Sequence, residues 1–450
     1  MSGRAGSSVT SGGRGEDFVS QYAIHVDGED RTSALRGRVI SIAVREDLDL
    51  LGWFEILLTS EDESIQTIPP GSRIEIWLGH GGGLGLATVG EVTGVQLEKG
   101  RRTGTRVRIR GLDPLHRLAR GRRTRSFRDS RTSDVVDEVA RERGLRAEVQ
   151  ETASVHPSLL QANESDYAFI RRLAASVGFE IFWRDDRIVF RSPASDEDVR
   201  LSLSGARQIQ SVRLDLSTAR QVGSVEVRGW DSRNKEAIVG TAGPRDVYPR
   251  MGGKRSGPEM SHQATGPSVR VYAHESISHQ EEADEIARRM LNRIAFETVG
   301  GEIRVAGDPA LRVGRLLEIN DVDEEFDGTF YLAGVTHTMD ARRGYRSLLR
   351  VRKNSAGPRP EATVREVVSG KPRSEDETPA PTEFRVLDPS GKPLADRLIF
   401  LTLPDGRRME VRTDGRGAVA WPAEAASGSV EVEIPSLRPS PLSPVGPGSG

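Results

Sequence analysis

Apolar and polar residues alternate through the first quarter of this chain. The alternation occurs in short runs that are separated by Gly, Pro or charged turns. The runs are marked by Tyr22/Ile24/Val26, Ile40/Ile42/Val44, Phe54/Ile56/Leu58, Ile74/Ile76/Leu78 and Val107/Ile109. A period of two puts successive side chains on opposite faces of a strand, so one face of each run can line a core. Residues 20–113 are therefore predicted to form an antiparallel β-barrel or sandwich.

The pattern changes in residues 114–200, where two segments show helical spacing. The clearer segment has its apolar residues at Tyr167, Ile170, Leu173, Ala174 and Val177. Asn163 is predicted to cap this helix with Asp166 in a capping box, and Gly178 to end it. Ser133 is predicted to cap the other helix. Two apolar runs after Gly178 flank a polar turn, so the sequence indicates a small α/β module with a hairpin.

Alternation returns in residues 201–353, which are predicted to form a second β-barrel. A capping box of Ser278 and Glu281 predicts a helix over 279–296 with an apolar face. Residues 239–267 are rich in Gly and Pro and lack periodicity. A structureless segment of that length is expected to be a functional or disordered loop.

The two β regions share a weak internal repeat. The residues that match at one constant offset are Gly71, Glu75, Ile76, Val92 and Thr93 with Gly314, Glu318, Ile319, Val335 and Thr336. Chance is one explanation. A true repeat would give each chain two related barrels, so that three chains would present six.

Three separated motifs resemble the phage late-control D proteins and the VgrG proteins of type VI secretion. They are the Glu164-Ser-Asp166 helix start, the stretch Gly111-Leu-Asp-Pro-Leu-His-Arg-Leu118, and a closing pattern between Gly307 and Tyr345. The resemblance covers about residues 20–353. Its signature residues are Glu164, Ser165, Asp166, Arg172, Leu173, Gly178, Phe179, Gly314, Asp327, Gly328, Tyr331, Val335, His337, Gly344 and Tyr345.

The resemblance implies two tube-like antiparallel β-barrels per chain and a structural hub that is not an enzyme. In that family a homotrimer adapts a hexameric inner tube to a trimeric spike, beside the baseplate wedge components. Neither a further oligonucleotide-binding-type barrel nor a needle of β-repeats is seen in the sequence, which implies that the spike is a separate protein. The expected location is a phage tail or a phage tail-like particle, which is synthesised and assembled in the cytoplasm and can be released.

The remaining segments differ in composition from the β regions. Residues 354–382 are rich in Pro, Ser and charge and are predicted to be a linker. Residues 383–436 resemble transthyretin-like or carboxypeptidase-regulatory-like β-sandwiches, which makes them a candidate docking site for spike or cargo, with a stabilising appendage as the alternative. Residues 1–19 are predicted to be flexible, and residues 437–450 to be disordered.

Composition excludes several classes of function. The chain has 64 Lys+Arg and 66 Asp+Glu, so its net charge of -2 does not indicate a nucleic-acid or membrane-surface protein. Cysteine is absent, which excludes disulfides and thiolate chemistry. The sequence shows neither a signal peptide nor an apolar stretch long enough to span a bilayer, so synthesis as a soluble cytoplasmic protein is expected.

Patterns that suggest chemistry have structural alternatives, and no catalytic residue, metal site or cofactor is predicted. The histidines lack zinc spacing, and His337 is expected to pack or bond within its strand. Residues 321–327 suggest a calcium loop, but Phe326 occupies the position that requires glycine, so a charged hairpin turn is favoured. Residues 79–85 lack the helix of a phosphate loop, which favours a hairpin tip.

Two rival functions remain open at this point. One is a tail-associated cell-wall hydrolase, because sequence does not reveal which carboxylates meet across a cleft. The other is a glycan- or nucleic-acid-binding module. The arginine-rich residues 117–131 have a single aromatic residue, so a solvated face or a subunit contact is favoured over nucleic-acid binding.

Overall fold

Strands dominate the chain, which confirms the mainly β fold that its alternating pattern predicts. The computed structural model describes residues 20–60, 68–81, 83–100, 104–193, 200–204, 208–231, 234–249, 251–273, 277, 279–357, 382–385, 395–396, 398–402, 408–416, 418–421 and 431–433. The chain divides into two compact units, Met1–Arg359 and Pro360–Gly450.

The first β region, residues 20–112, surrounds its own apolar core. Its elements are β1 Ser20–Val26, β2 Glu29–Asp30, α1 Thr32–Leu35, β3 Val39–Asp47, β4 Trp53–Ser60, β5 Arg73–His80, β6 Gly83–Gly100 and β7 Gly104–Leu112. The order of its main strands is β3-β4-β7-β6-β5-β1. Alternate residues of each strand, such as Ile42, Phe54 and Ile76, fill the core as the period of two predicts.

The α/β module, residues 114–191, packs two helices against short strands. Its elements are a 3-10 helix Pro114–Arg117, β8 Arg123–Arg131, α2 Thr132–Glu142, β9 Ala147–Val149, β10 Val155–Glu164, α3 Asp166–Ser176, β11 Glu180–Arg184 and β12 Arg187–Arg191. The apolar faces of α2 and α3 share one core with β11 and β12. The hairpin predicted after Gly178 is confirmed, and it turns at Asp185 and Asp186.

The second β region, residues 200–356, continues the sheet of the first. Its elements are β13 Arg200–Ser204, β14 Ile209–Leu216, β15 Ser224–Asp231, β16 Glu236–Ala242, a 3-10 helix Pro244–Asp246, β17 Arg255–Ser256, α4 Gly257–Thr265, β18 Val269–Ala273, α5 Gln280–Ala295, β19 Val299–Ala306, β20 Leu316–Asn320, β21 Gly328–Asp340, β22 Gly344–Lys353 and β23 Ser355–Ala356. β21 pairs with β3, so the described strands of both regions form one 13-stranded sheet. Its pairings are antiparallel except that between β13 and β20.

The hairpin of β21 and β22 belongs to both cores. Its residues Leu332 and Leu349 lie in the core of the second region, whereas Met339 and Tyr345 lie in the core of the first. At the hairpin's end the Tyr345 N–H donates to Ser20 Oγ at 2.9 Å, beside β1. A single long hairpin therefore fixes the two β regions to each other.

Helix α5 lies outside the large sheet. It packs on a separate three-stranded sheet of order β16-β15-β18, with a core that includes Ile286 and Leu291. The single second barrel expected for residues 201–353 is thus divided into a sheet portion and a helical layer. Helix α5 lies within one residue of the predicted 279–296 at either end.

Three local predictions were wrong. Ser165, not Asn163, caps α3, because Asn163 lies in β10 with a φ of 49°. Residues 239–267 are not a structureless loop, since they contain α4, which a capping box of Ser256 and Glu259 starts. Helix α2 begins at Thr132, and the hydroxyl of Ser133 bonds to the Thr152 N–H instead of capping the helix.

The capping box predicted for helix α5 is not tested, because it depends on Ser278. Its N-cap is His279, which makes no side-chain capping bond, and Ser278 lies outside the described residues.

The residues of the internal repeat occupy similar places in the two β regions. Gly71 and Gly314 both have positive φ, 97° and 75°, and each precedes a strand that pairs with the next strand along the chain. Their N–H groups donate to Val92 and Leu332 respectively. Because Leu332 is not the residue equivalent to Val92, the two turns share a backbone conformation but not the same register.

The second compact unit contains short strands. They are β24 Thr382–Arg385, β25 Leu398–Thr402, β26 Arg408–Arg412, β27 Ala418–Trp421 and β28 Glu431–Glu433. They form two antiparallel sheets, β24-β27 and β26-β25-β28. The predicted linker before this unit and the terminal segments 1–19 and 437–450 lie almost entirely outside the described residues.

Candidate functional site: the junction of the three folded parts

One loop contacts all three parts of the larger unit. Residues 46–52, the end of β3 and its connection to β4, are called here the junction loop. The Leu48 N–H donates to the Ala333 carbonyl of the second β region at 3.0 Å. The Gly52 N–H donates to the Asp113 carboxylate at 2.6 Å, and Arg171 of the module donates to the Asp49 carbonyl.

The deepest contact of the junction loop is an ion pair between Glu46 and Arg312. Both side chains are only 6% exposed, and Arg312 Nε lies 2.8 Å from each Glu46 oxygen. The guanidinium also donates to the Leu86 carbonyl at 2.9 Å and to Asp185 at 3.2 Å. Burial tends to lower the pKa of Arg312, but the Glu46 charge, the hydrogen bonds to Glu46 and the Asp185 charge together more than offset burial and raise it. This guanidinium therefore links both β regions to the module.

A second, more exposed group of charges surrounds the same loop. Arg350 donates to Asp47 at 2.7 Å, and Arg352 donates to Asp49 at 2.6 Å. Burial tends to raise the pKa of Asp49, but nearby guanidiniums, first among them Arg352, hold it below its usual value. These contacts join the junction loop to β22.

Two carboxyls at the edges of the module bond to neutral donors instead of a guanidinium. Asp113 is buried and accepts from the Gly52 and Leu115 N–H groups at 2.6 and 3.1 Å. Glu180, at the start of β11, accepts from the Tyr331 hydroxyl. Burial raises the pKa of each carboxyl to about 7, because these bonds offset only part of the lost hydration.

The signature residues at the start of α3 build an internal charge cluster. Ser165 accepts from the Ala168 N–H at 3.2 Å as N-cap. Asp166 is buried and accepts from Arg143 at 2.8 Å and from Gln161 at 3.0 Å. Glu164 pairs with Arg172 near the surface, while Leu173 packs in the module core. The Glu-Ser-Asp motif thus positions the start of α3 through contacts within the module.

A second set of signature residues lies between the module and the second β region. A Cβ added to Gly314 would lie 2.7 Å from the Phe182 ring, and Arg191 donates to the Gly314 carbonyl. Similarly, a Cβ at Gly178 would lie 2.6 Å from Arg289 of α5. The Arg289 guanidinium also lies over the ring of Phe179, and the Tyr331 hydroxyl donates to Glu180. Small residues here permit close packing of the hairpin β11–β12.

The acidic segment at residues 321–327 is a turn, as the sequence predicts. The Asp327 carboxylate accepts from the N–H groups of Asp321, Val322 and Asp323 at 3.0 to 3.1 Å. The buried Lys353 Nζ donates to the Asp327 carbonyl at 2.5 Å and approaches Gly328. The carboxylate is therefore engaged by backbone donors within its own turn.

The last signature residues lie on the hairpin β21–β22. His337 is fully buried and bonds to Ser347 Oγ at 2.9 Å and to the Leu311 carbonyl at 3.1 Å, both outside its own strand. Val335 fills the core, and Gly344 approaches Ser20 of β1. The signature residues are thus distributed over four places in the larger unit, some within one part and some between parts, and do not converge on one cleft.

Several arginines in the arginine-rich residues 117–131 form ion pairs with carboxylates of the same chain. Arg123 and Arg125 pair with Glu142, Arg131 pairs with Glu151, and Arg117 pairs with Glu91. These partners lie far along the sequence, so the pairing could not be read from the run itself. Arg128 is exposed, which keeps part of this edge available to solvent.

No group of three or more His, Cys, Asp or Glu residues in the described part of the chain is arranged to hold a metal ion. The helices that the structure describes include none long and apolar enough to cross a membrane.

The sequence missed the residues of the junction itself. Glu46 and Arg312 are separated by 266 positions. Arg312 lies in the family-like stretch from Gly307 to Gly314, but Glu46 belongs to none of the recognised motifs. The only local signal is a run of charges, Arg45 to Asp49, that interrupts the alternation at the end of a strand.

Comparisons with known proteins give one family match. The family model described as the Alg8 N-terminal domain matches residues 16–341. No curated protein matches the chain.

Solved tail proteins have a similar fold at low sequence identity. The 43 kDa tail protein of prophage MuSo2 from Shewanella oneidensis is 14% identical with a TM-score of 0.58, over 74% of this chain and 98% of that chain. A tail protein from Neisseria meningitidis is 15% identical with a TM-score of 0.53, over 74% and 97%. An E. coli component of the type VI secretion system, described as structurally similar to the T4 tail proteins gp27 and gp5, is 15% identical with a TM-score of 0.51, over 88% and 95%.

Proposed function

The chain belongs to the family of the Alg8 N-terminal domain, and from its fold we propose that it is the trimeric hub of a contractile injection apparatus. In this role it is a structural protein without enzymatic activity, in a phage tail or a related particle of the late-control D and VgrG type. The observation that carries the proposal is the continuous sheet of two β regions, in a fold shared with tail proteins.

The arrangement suits an adaptor between two symmetries. Each chain supplies two β regions, so three chains present six sheet segments to a hexameric inner tube. The same three chains present one three-fold site to a trimeric spike. Gly71 and Gly314 have the same left-handed conformation at turns of the two regions, although the turns differ in register, and this shared conformation favours the internal repeat.

The junction suits transmission of force. Glu46, Arg312 and the hairpin β21–β22 couple the two β regions and the module through buried contacts. Packed interiors have low compressibility and pass displacement on. The proposed mechanism is mechanical, in that sheath contraction moves the hub and spike together.

The proposed partners are the inner tube protein, a separate spike protein and the baseplate wedge components. Residues 383–436 are proposed as a docking site for spike or cargo, following a linker at 354–382. Assembly takes place in the cytoplasm, and the particle is then used or released from the cell.

The first experiment measures mass by light scattering for the purified protein, alone and mixed with its tube and spike proteins. A mass of three chains, alone or on mixing, is the expected result. A monomer that persists under both conditions would contradict the hub proposal.

A variant at the sheet edge tests the proposed subunit contact. In the described part of the sheet β14 pairs only with β19, and Val212 on β14 is 39% exposed. Unpaired edge strands are normally covered or protected. Val212→Asp is expected to reduce trimer formation at least tenfold without lowering the Tm of the isolated chain, as checked by light scattering and calorimetry. Val155→Asp, at a residue 56% exposed on β10, is the control that should still assemble; equal assembly of both variants would exclude β14 as the contact.

A further inference from the structure

Three segments of the two β regions pack around the ring of Tyr345. His80, at the end of β5, lies 5.3 Å from it between ring centroids, and His337 on β21 lies at 5.8 Å. Gly307 faces the same ring so closely that a Cβ there could not be accommodated. The group of His80, His337 and Tyr345 with Ser347 and Leu311 is called here the histidine joint.

The bonds of His337 specify a neutral imidazole. Nε2 lies 3.1 Å from the Leu311 carbonyl, which only accepts, so Nε2 carries the proton. Nδ1 is then an acceptor, and its neighbours are Ser347 Oγ at 2.9 Å and the Tyr345 hydroxyl at 3.0 Å. Either hydroxyl can donate to it. A second ring proton would turn this acceptor into a donor and require the hydroxyl that donates to Nδ1 to reorient.

The charges around the joint oppose a histidine cation. Arg312 follows Leu311 directly, and its guanidinium is bound to Glu46. His80 lies against the Tyr345 ring. Burial and the charge of Asp308 raise the pKa of the Tyr345 hydroxyl, and Asp308 is not bonded to His337. Neither ring nitrogen of His337 is bonded to a carboxylate. Burial first, and then the Arg312 charge, lower the pKa of His337 to about 3.

We propose that the histidine joint is acid-sensitive: below about pH 6 residues 307–315 separate from the hairpin β21–β22 progressively more easily, because His337 takes up a proton when they separate. Residues 307–315 carry Arg312, so opening of the joint also withdraws the partner of Glu46. Loosening would therefore spread from the joint to the contact between the two β regions. This inference concerns the single chain and does not depend on the hub proposal.

The direction of the pH effect follows from the lowered pKa. The stabilisation from neutral His337 is fully present above the ordinary histidine value of about 6.5 and is lost as the pH falls. Asp113 and Glu180 act in the opposite sense, because their raised pKa values give stabilisation that is lost as the pH rises toward about 7. The two effects overlap between pH 5 and 7, so a comparison of variants is needed to separate them.

The test is urea unfolding of the full chain at pH 7, 6 and 5, for the wild type and His337→Gln. The glutamine amide can still donate to the Leu311 carbonyl but does not titrate. Between pH 7 and 5 the unfolding equilibrium constant of the wild type is expected to rise roughly 25-fold relative to that of the variant. Parallel pH profiles for the two proteins would overturn the proposal.

His25→Gln is the matched control. His25 lies on β1 with 32% of its side chain exposed, and its substitution should preserve the wild-type pH profile. A second measurement uses the wild-type protein alone, so it tests the proposal even if His337→Gln does not fold. Hydrogen exchange of wild-type amides in 307–315 and β21, corrected for intrinsic rates, is expected to accelerate at pH 5 relative to those of the module. Unchanged or uniform exchange would contradict the acid-sensitive joint.

Discussion

Arg312→Met is expected to lower the free energy of unfolding by about 3–5 kcal/mol, because it leaves the Glu46 carboxylate buried without its partner. Glu46 is only 6% exposed, and Arg312 supplies the close hydrogen bonds to both of its oxygens. The methionine also leaves the Leu86 carbonyl without this donor. The loss is measured as the shift of the urea midpoint at pH 7 for the transition in which the larger unit unfolds.

Two further variants separate the buried charge from lost packing. Glu46→Met combined with Arg312→Met removes both charges and should recover most of the loss, since apolar replacements of buried pairs are often close to neutral. Arg350→Met is the matched control, because this arginine is 33% exposed and Asp47 keeps Arg45 as a partner. Its expected cost is about 1 kcal/mol. Equal losses for Arg312→Met and Arg350→Met would mean that the Glu46 pair has no special role.

The sequence predicted those parts of the fold that depend on local periodicity. Ile42, Phe54 and Ile76 lie in the core as their alternation requires, and the apolar face of α5 is buried. Such patterns are reliable because each strand or helix must bury one face. The separation of α5 from the large sheet was not predictable in the same way, since helix periodicity does not reveal which strands a helix covers.

Caps were predicted less well than elements. Asn163 and Ser165 are both good N-caps, and only the bulge of β10, which puts Asn163 in the left-handed region, decides between them. In residues 239–267, Ser256 and Glu259 form a capping box that the surrounding Gly and Pro residues obscured. Composition outweighed a local motif in that prediction.

The junction was beyond sequence reasoning for a physical reason. An ion pair between Glu46 and Arg312 depends on sheet topology, which brings β3 beside β21. A single sequence has many carboxylates and guanidiniums and does not reveal which pairs are buried. The family motifs identified contacts next to the junction, at Gly314 and His337, because close packing and buried hydrogen bonds restrict residue type there.

Gly111→Ala is expected to lower the free energy of unfolding by about 3 kcal/mol, through overpacking of the first core. Gly111 lies on β7 within the family-like stretch that ends at Leu118. A Cβ there would overlap both the buried Phe54 ring and the Glu91 carbonyl, and the carbonyl belongs to the backbone of the neighbouring strand. Calorimetry and urea unfolding measure the loss.

Gly94→Ala is a matched control from the same pair of strands. Gly94 pairs with Arg110, the residue before Gly111, yet an added Cβ there meets no atom within 4 Å. Its substitution should change stability by less than about 1 kcal/mol. Similar effects for the two alanines would mean that Phe54 moves aside at little cost. The need for glycine at position 111 would then come from the flexibility of the strand. The core of the first β region would be less rigid than a force-transmitting hub requires.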